Sequence, residues 1–116
     1  VIDTGANVTI LNPALGEALG IVADAPGVAR GELGAGGTAT AKARASRLSV
    51  AGIDWRTPEV QAADLPLFAA LGLADRPALI LGNDALKEVR LFIDYAGGRL
   101  YLAPPGTAAA AARDVR

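Results

Sequence analysis

Turn residues cut this chain into short pieces. Asp3-Thr4-Gly5-Ala6-Asn7, Asn12-Pro13, Gly20, Gly34-Ala35-Gly36-Gly37, Gly52, Gly82-Asn83 and Gly97-Gly98 recur between brief aliphatic or β-branched runs. The runs are too short to supply the crossover helices that alternate with strands in a doubly wound sheet. They suit a fold of many short strands with one or two short helices, so a mainly β domain is predicted, a small barrel or sandwich.

The pieces read as follows. Val1-Ile2 ends a strand, and because the sequence opens on apolar residues without Met, a fragment that starts mid-strand is expected. Val8 to Leu11 is a strand. Pro13 to Leu19 is a short helix, with Asn12 at its N-cap, Pro13 at the first helical position and Gly20 as its stop. Val28 to Leu33 and Thr38 to Val50 form a hairpin around Gly34 to Gly37. Its returning strand alternates with period two: Ala39, Ala41, Ala43 and Ala45 share one face, Thr38, Thr40, Lys42 and Arg44 the other. Leu48 and Val50 continue the polar parity, so a bulge near Ser46-Arg47, or passage from a free hairpin into a barrel, is expected. The alanines leave room for something beneath the hairpin, unless they reflect compositional bias alone. Trp55 to Ala62 is a strand whose Pro58 favours an edge. Asp64 to Pro77 is a loop with a helical turn near Leu67 to Leu71. Ala78 to Leu81 is a buried strand, after which Asn83 or Asp84 caps a short helix through Val89. Leu91 to Tyr95 and Arg99 to Leu102 close the domain as a hairpin. Residues 1–102 form the domain, and 103–116 read as a flexible Pro/Ala-rich tail or linker.

Composition narrows the chemistry. The 116 residues support one domain. With no His and no Cys, the chain has no Ser-His-Asp or Cys-His machinery, no disulfide and no N/S ligands for zinc. Acid–base chemistry falls to carboxylates, Lys or Tyr. A formal net charge of -1 gives no argument for nucleic acid. Charged, Gly or Pro residues interrupt every apolar run before it reaches bilayer length. Compartment stays open, a periplasmic or membrane-anchored location being compatible with the sequence. Neither a cofactor nor a metal is expected.

Two segments carry chemical interest. Asp3-Thr4-Gly5-Ala6 follows an apolar strand, and Gly5 permits a sharp turn that projects the Asp3 carboxylate from the strand end. Alone, the triplet is also an ordinary turn. Ala78-Leu79-Ile80-Leu81-Gly82-Asn83-Asp84 is a buried strand running into a capped helix. Val-Ile-Asp-Thr-Gly-Ala early in a small β-rich chain and Ile-Leu-Gly before a short helix late in it make a far more specific pair.

With the Gly-rich hairpin and the final hairpin, this pair makes nearly all of Val1 to Leu102 resemble a retropepsin-like aspartic protease domain, the family of retroviral proteases and their bacterial relatives. The resemblance implies a small, closed, mainly β barrel of the retropepsin type and an aspartic endopeptidase. It implies that Asp3 is the catalytic aspartate and that Thr4, Gly5 and Ala6 support the active-site loop. Thr4 would brace two such loops across a dimer axis, and Gly5 would present backbone to substrate. Gly34, Ala35, Gly36 and Gly37 would form the tip of a flap over a peptide. Ile80, Leu81, Gly82 and Asp84 would support the loop. Two carboxylates held close cannot both ionise, so they share a proton, one acting as base toward water and the other as acid toward the carbonyl. Only one Asp-Thr-Gly is present, so the partners expected are a peptide or protein substrate and a second retropepsin-like domain, from a homodimer or a tandem copy. Retroviral relatives have additional chain before the catalytic strand, and Arg where this chain has Asn83, so their ion pair at that position does not transfer. Two alternatives are a catalytically silent dimerisation or peptide-binding module of the same fold, and an unrelated β-domain that binds a ligand or sugar.

Overall fold

The computed structural model describes residues 1–104 and the backbone of Arg113–Val115. Strand β1 (Ile10–Leu11) leads through Asn12 into helix α1 (Pro13–Leu19), capped as the sequence signals require: the Asn12 side chain accepts from the Leu15 N–H, and Gly20 closes the helix at φ +73°. Strands β2 (Ala29–Leu33) and β3 (Thr38–Arg44) form the expected hairpin. Then follow β4 (Arg47–Val50), β5 (Ile53–Arg56), β6 (Glu59–Ala62), α2 (Pro66–Ala70), β7 (Leu79–Ile80), α3 (Asn83–Leu86), β8 (Arg90–Asp94), β9 (Arg99–Ala103) and β10 (Arg113–Val115).

The protein is mainly β. Among the described residues the ladders form three sheets: a five-stranded one in the order β2-β3-β6-β1-β7, a three-stranded one in the order β10-β9-β8, and the β4-β5 hairpin. The pairings between named strands are antiparallel except β1 with β6, where Ile10 faces Gln61.

Several local expectations change. The single strand Thr38 to Val50 is two strands, because the chain leaves the large sheet at Ala45-Ser46. There Ala45 N–H donates to Pro58 O and Thr57 N–H to Ser46 O. The parity flip records a change of core: Ala41 and Ala43 pack with Leu11, Ile21 and Val60, whereas Leu48 and Val50 pack with Ile53, Trp55, Leu81 and Leu102. Trp55 to Ala62 likewise divides, at Thr57, whose φ is +47°. The expected edge position fails: β6 lies inside the five-stranded sheet between β3 and β1, and Pro58 sits just before it, where its missing N–H costs no rung. Helix α3 is capped by Gly82, not by Asn83 or Asp84, and ends at Leu86. The strand ending at Leu11 keeps ladder pairing only over Ile10–Leu11, and Val1-Ile2 contributes an isolated parallel bridge, Ile2 to Leu81. Ala103 completes β9, and the backbone of Arg113–Val115 pairs antiparallel with that strand. The tail expected at 103–116 otherwise falls, at 105–112 and 116, outside the described residues.

A third core, built on Ile10, Ala63, Phe68 and Ile80, lies beside the other two, and Trp55 Nε1–H spans toward α3 by donating to Ala85 O at 3.0 Å. No helix among the described residues is long and apolar enough to cross a membrane.

Asn12 ties the α2–β7 loop to this frame. It is fully buried. Its Oδ1 accepts from Leu15 N (2.9 Å) and Ala78 N (3.0 Å), and its Nδ2 donates to Leu73 O (2.9 Å) and Arg76 O (2.6 Å). Asn12→Ala removes a helix cap worth ~1 kcal/mol and strands three further backbone groups. Loss of about 2–3 kcal/mol is expected in urea unfolding, read as a lower midpoint at unchanged slope.

Candidate functional site

The Asp3 loop begins where a strand is held at its last rung. Leu81 N–H donates to Val1 O (2.7 Å) and Asp3 N–H to Leu81 O (3.0 Å), so β7 and its extension fix the backbone on which Asp3 stands. The chain then turns back on itself. Gly5 N–H donates to Asp3 Oδ1 (2.8 Å) and Ala6 N–H to Asp3 O (3.2 Å), an Asx-type turn closed by the carboxylate itself. Asp3 is half-buried, while Thr4 and Gly5 are exposed. Among the described residues the Thr4 hydroxyl has no hydrogen-bond partner.

The turn into α3 grips the other side of the loop. Asn83 N–H donates to Ala6 O (2.7 Å), Asn83 Nδ2 to Thr4 O (2.5 Å), and Asp84 N–H to Asn7 O (3.2 Å). The Asp84 carboxylate accepts from Thr9 Oγ1 (2.8 Å), Thr9 N (3.2 Å) and its neighbour Ala85 N (2.9 Å). Thr9 Oγ1 in turn accepts from Gly82 N (3.2 Å). Gly82 is buried against the loop so closely that a Cβ there would fall on the Val8 carbonyl, 2.6 Å from its carbon and 3.1 Å from Ala6 O. Ile80 and Leu81 are each 1% exposed and anchor the strand from two different cores.

Asp3, Thr4, Gly5 and Ala6 are thus brought together with Leu81, Gly82 and Asp84 into one hydrogen-bonded unit. Two members escape sequence reading. Thr9 looks like any residue of a β-branched run, yet its hydroxyl joins Gly82 to Asp84. Asn83, where an Arg ion pair could not be transferred, holds the loop through a neutral amide instead. Neither role has a local signature, since each partner lies more than seventy residues away.

The Gly-rich hairpin reaches the same neighbourhood. Gly37 N–H donates to Gly34 O (3.2 Å), and Gly34 and Gly37 have φ of +69° and +66°, a backbone region open mainly to glycine. A cleft of about 490 Å³ separates the hairpin from the loop. Ala6, Asn7, Val8 and Ile10 line one side, Leu33, Gly34 and Thr38 the other. Gly34 therefore faces the Asp3 loop across open space, while Ala35, Gly36 and Gly37 form the exposed tip beyond it. Asp3 stands upstream of Ala6, where the cleft wall begins. Among the described residues, no group of three or more His, Cys, Asp or Glu side chains converges to hold a metal ion. The arrangement offers a carboxylate at a braced turn and, beside it, a groove between loop and hairpin backbone.

A family model described as aspartyl protease matches residues 1–85. No curated protein and no solved structure matches the chain. The matched span takes in the Asp3 turn, the glycine hairpin, the cleft between them and the Gly82–Asp84 grip. On that match, the chain belongs to an aspartyl protease family of the retropepsin-like clan.

Proposed function

We propose that the protein is an aspartic endopeptidase whose working site pairs Asp3 with the aspartate of a second Asp-Thr-Gly loop, from a homodimer or a tandem domain. The observation that carries this reading is the loop itself: one carboxylate on a turn held by the β7 extension and by the α3 turn, beside an exposed Thr4 whose hydroxyl has no partner among the described residues. A second loop opposite would give that hydroxyl its acceptor and give Asp3 its companion carboxylate. The closed barrel of the retropepsin type belongs to the same proposal, with the three sheets as its parts.

The chemistry balances with one shared proton. The ionised carboxylate takes a proton from water as the water oxygen attacks the scissile carbonyl carbon, and the protonated carboxyl gives its proton to the carbonyl oxygen. The resulting diol collapses with a proton passing to the amide nitrogen, and the C–N bond breaks. An extended peptide lies in the cleft between Ala6–Val8 and Gly34, bound largely by backbone.

Dilution tests the pairing. Cleavage of casein by the full-length chain is followed as protein concentration falls, with sedimentation run on the same samples. For a homodimer, the rate per chain falls in step with the dimer fraction. A tandem protein holds its rate but carries two such domains. A strictly monomeric chain with one domain and an undiminished rate overturns the proposal.

A further inference from the structure

On the α1 side of the large sheet lies a second recess of about 270 Å³, separate from the cleft. Its floor is largely apolar: Ile21, Ala41 and Ala63 are buried there, Ala39 extends it along β3, and the buried Thr40 is its polar member, its hydroxyl donating to Gln61 Oε1. Of the alanine stripe on the returning hairpin strand, Ala39 and Ala41 line this recess. Its lip carries two charged residues, Glu17 of α1 and Asp64 after β6, and both are acidic. Among the described residues neither carboxylate has a hydrogen-bond or ion-pair partner, and no Lys or Arg lines the recess. The neighbouring cations are committed elsewhere. Arg30, opposite Ala41 in the ladder, bonds Asp24 at 2.9 Å, and Lys42 pairs with Glu59 at 3.6 Å.

An apolar recess under an anionic lip complements a methylene stem that ends in a cation. We infer that this recess docks a Lys or Arg side chain of the polypeptide substrate, from a segment outside the cleft. The substrate assignment rests on the peptidase reading; the recess and its charge do not. Strand β3 connects the two places, since it gives Ala39 and Ala41 to the recess and Thr38 to the cleft.

Binding is tested apart from catalysis, on the full-length chain carrying Asp3→Asn, by NMR titration with acetyl-Ala-Arg-Ala-amide. Saturable shifts are expected at the Ala39, Ala41 and Ala63 amides. Affinity should fall roughly fivefold or more when Arg is replaced by norleucine, and equally when the protein carries Glu17→Gln with Asp64→Asn, as expected for losing two partly exposed ion pairs. Shifts that ignore both changes, shifts confined to Val8 and Gly34, or no saturation at all overturn the inference. With Asp3 restored, the same double variant should raise KM about fivefold for a long substrate with a distal Arg, leaving its kcat unchanged. An unchanged KM would overturn the substrate assignment even if the peptide binds. A protein that binds the peptide in the recess but cleaves nothing would instead refute the peptidase reading and leave the site standing.

Discussion

Asp3→Asn is expected to lower casein cleavage between pH 4 and 7 by at least about 10³-fold, while stability changes by less than ~0.5 kcal/mol. The two readouts separate because the proposal gives the carboxylate two jobs. As a turn element, Asp3 Oδ1 accepts from Gly5 N–H at 2.8 Å, and an amide oxygen of the same shape can accept that bond. In the proposed mechanism it belongs to a pair that takes a proton from water and yields one to substrate, which an amide cannot do. Asp3→Ala would confuse the two by removing the turn bond with the charge. The Asn variant should therefore retain its urea midpoint and its sedimentation behaviour, with cleavage lost. Equal cleavage by both proteins rejects the aspartic mechanism. If neither cleaves, the silent dimerisation or peptide-binding module takes its place.

How much of the fold is legible in the sequence follows the range of the forces involved. Where neighbouring residues decide, the chain is legible: Asn12-Pro13 and Gly20 delimit α1, and the glycines of Gly34 to Gly37 mark the hairpin tip. The parity flip at Ser46-Arg47 is also visible, but its cause is not. Period two says that the buried face changes; only the fold shows that Ala41 and Leu48 serve different cores. Pro58 misleads because its rule concerns rungs within a strand, and the chain instead places it in the gap between two strands, leaving β6 free to sit inside the sheet. The grip on the Asp3 loop is the least legible part. Gly82, Asn83 and Asp84 suggest a turn into a helix, as they do in countless chains. Their meaning comes from Thr4, Ala6, Asn7 and Thr9, which a sequence places at the other end and the fold places within hydrogen-bonding distance.

Gly82→Ala is expected to be the most damaging single methyl in the domain, with a loss of at least about 4 kcal/mol in urea unfolding. Backbone conformation is not the reason. Gly82 has φ -96°, which alanine adopts freely, so the penalty usual at Gly34 or Gly37 is absent here. The obstacle is the Val8 carbonyl, which a Cβ would overlap, with Ala6 O only 3.1 Å away. Nothing nearby can yield alone. Moving Val8 drags Asn7 and Thr9, and so breaks Asp84 N–H to Asn7 O and the Thr9–Asp84 pair. Moving Gly82 draws Asn83 from Ala6 O and Thr4 O. The methyl therefore opens the whole grip rather than one contact. Gly36→Ala is the control: it meets open space, and its φ lies outside the left-handed region. It should change stability by under ~1 kcal/mol. If Gly82→Ala also cost under ~1 kcal/mol, the loop and the α3 turn would have to separate easily, and the bracing assigned to Asp84 and Thr9 would be wrong. If the variant folds at low temperature, cleavage should still fall more than its folded fraction does, because the clash bears on the segment that positions Asp3.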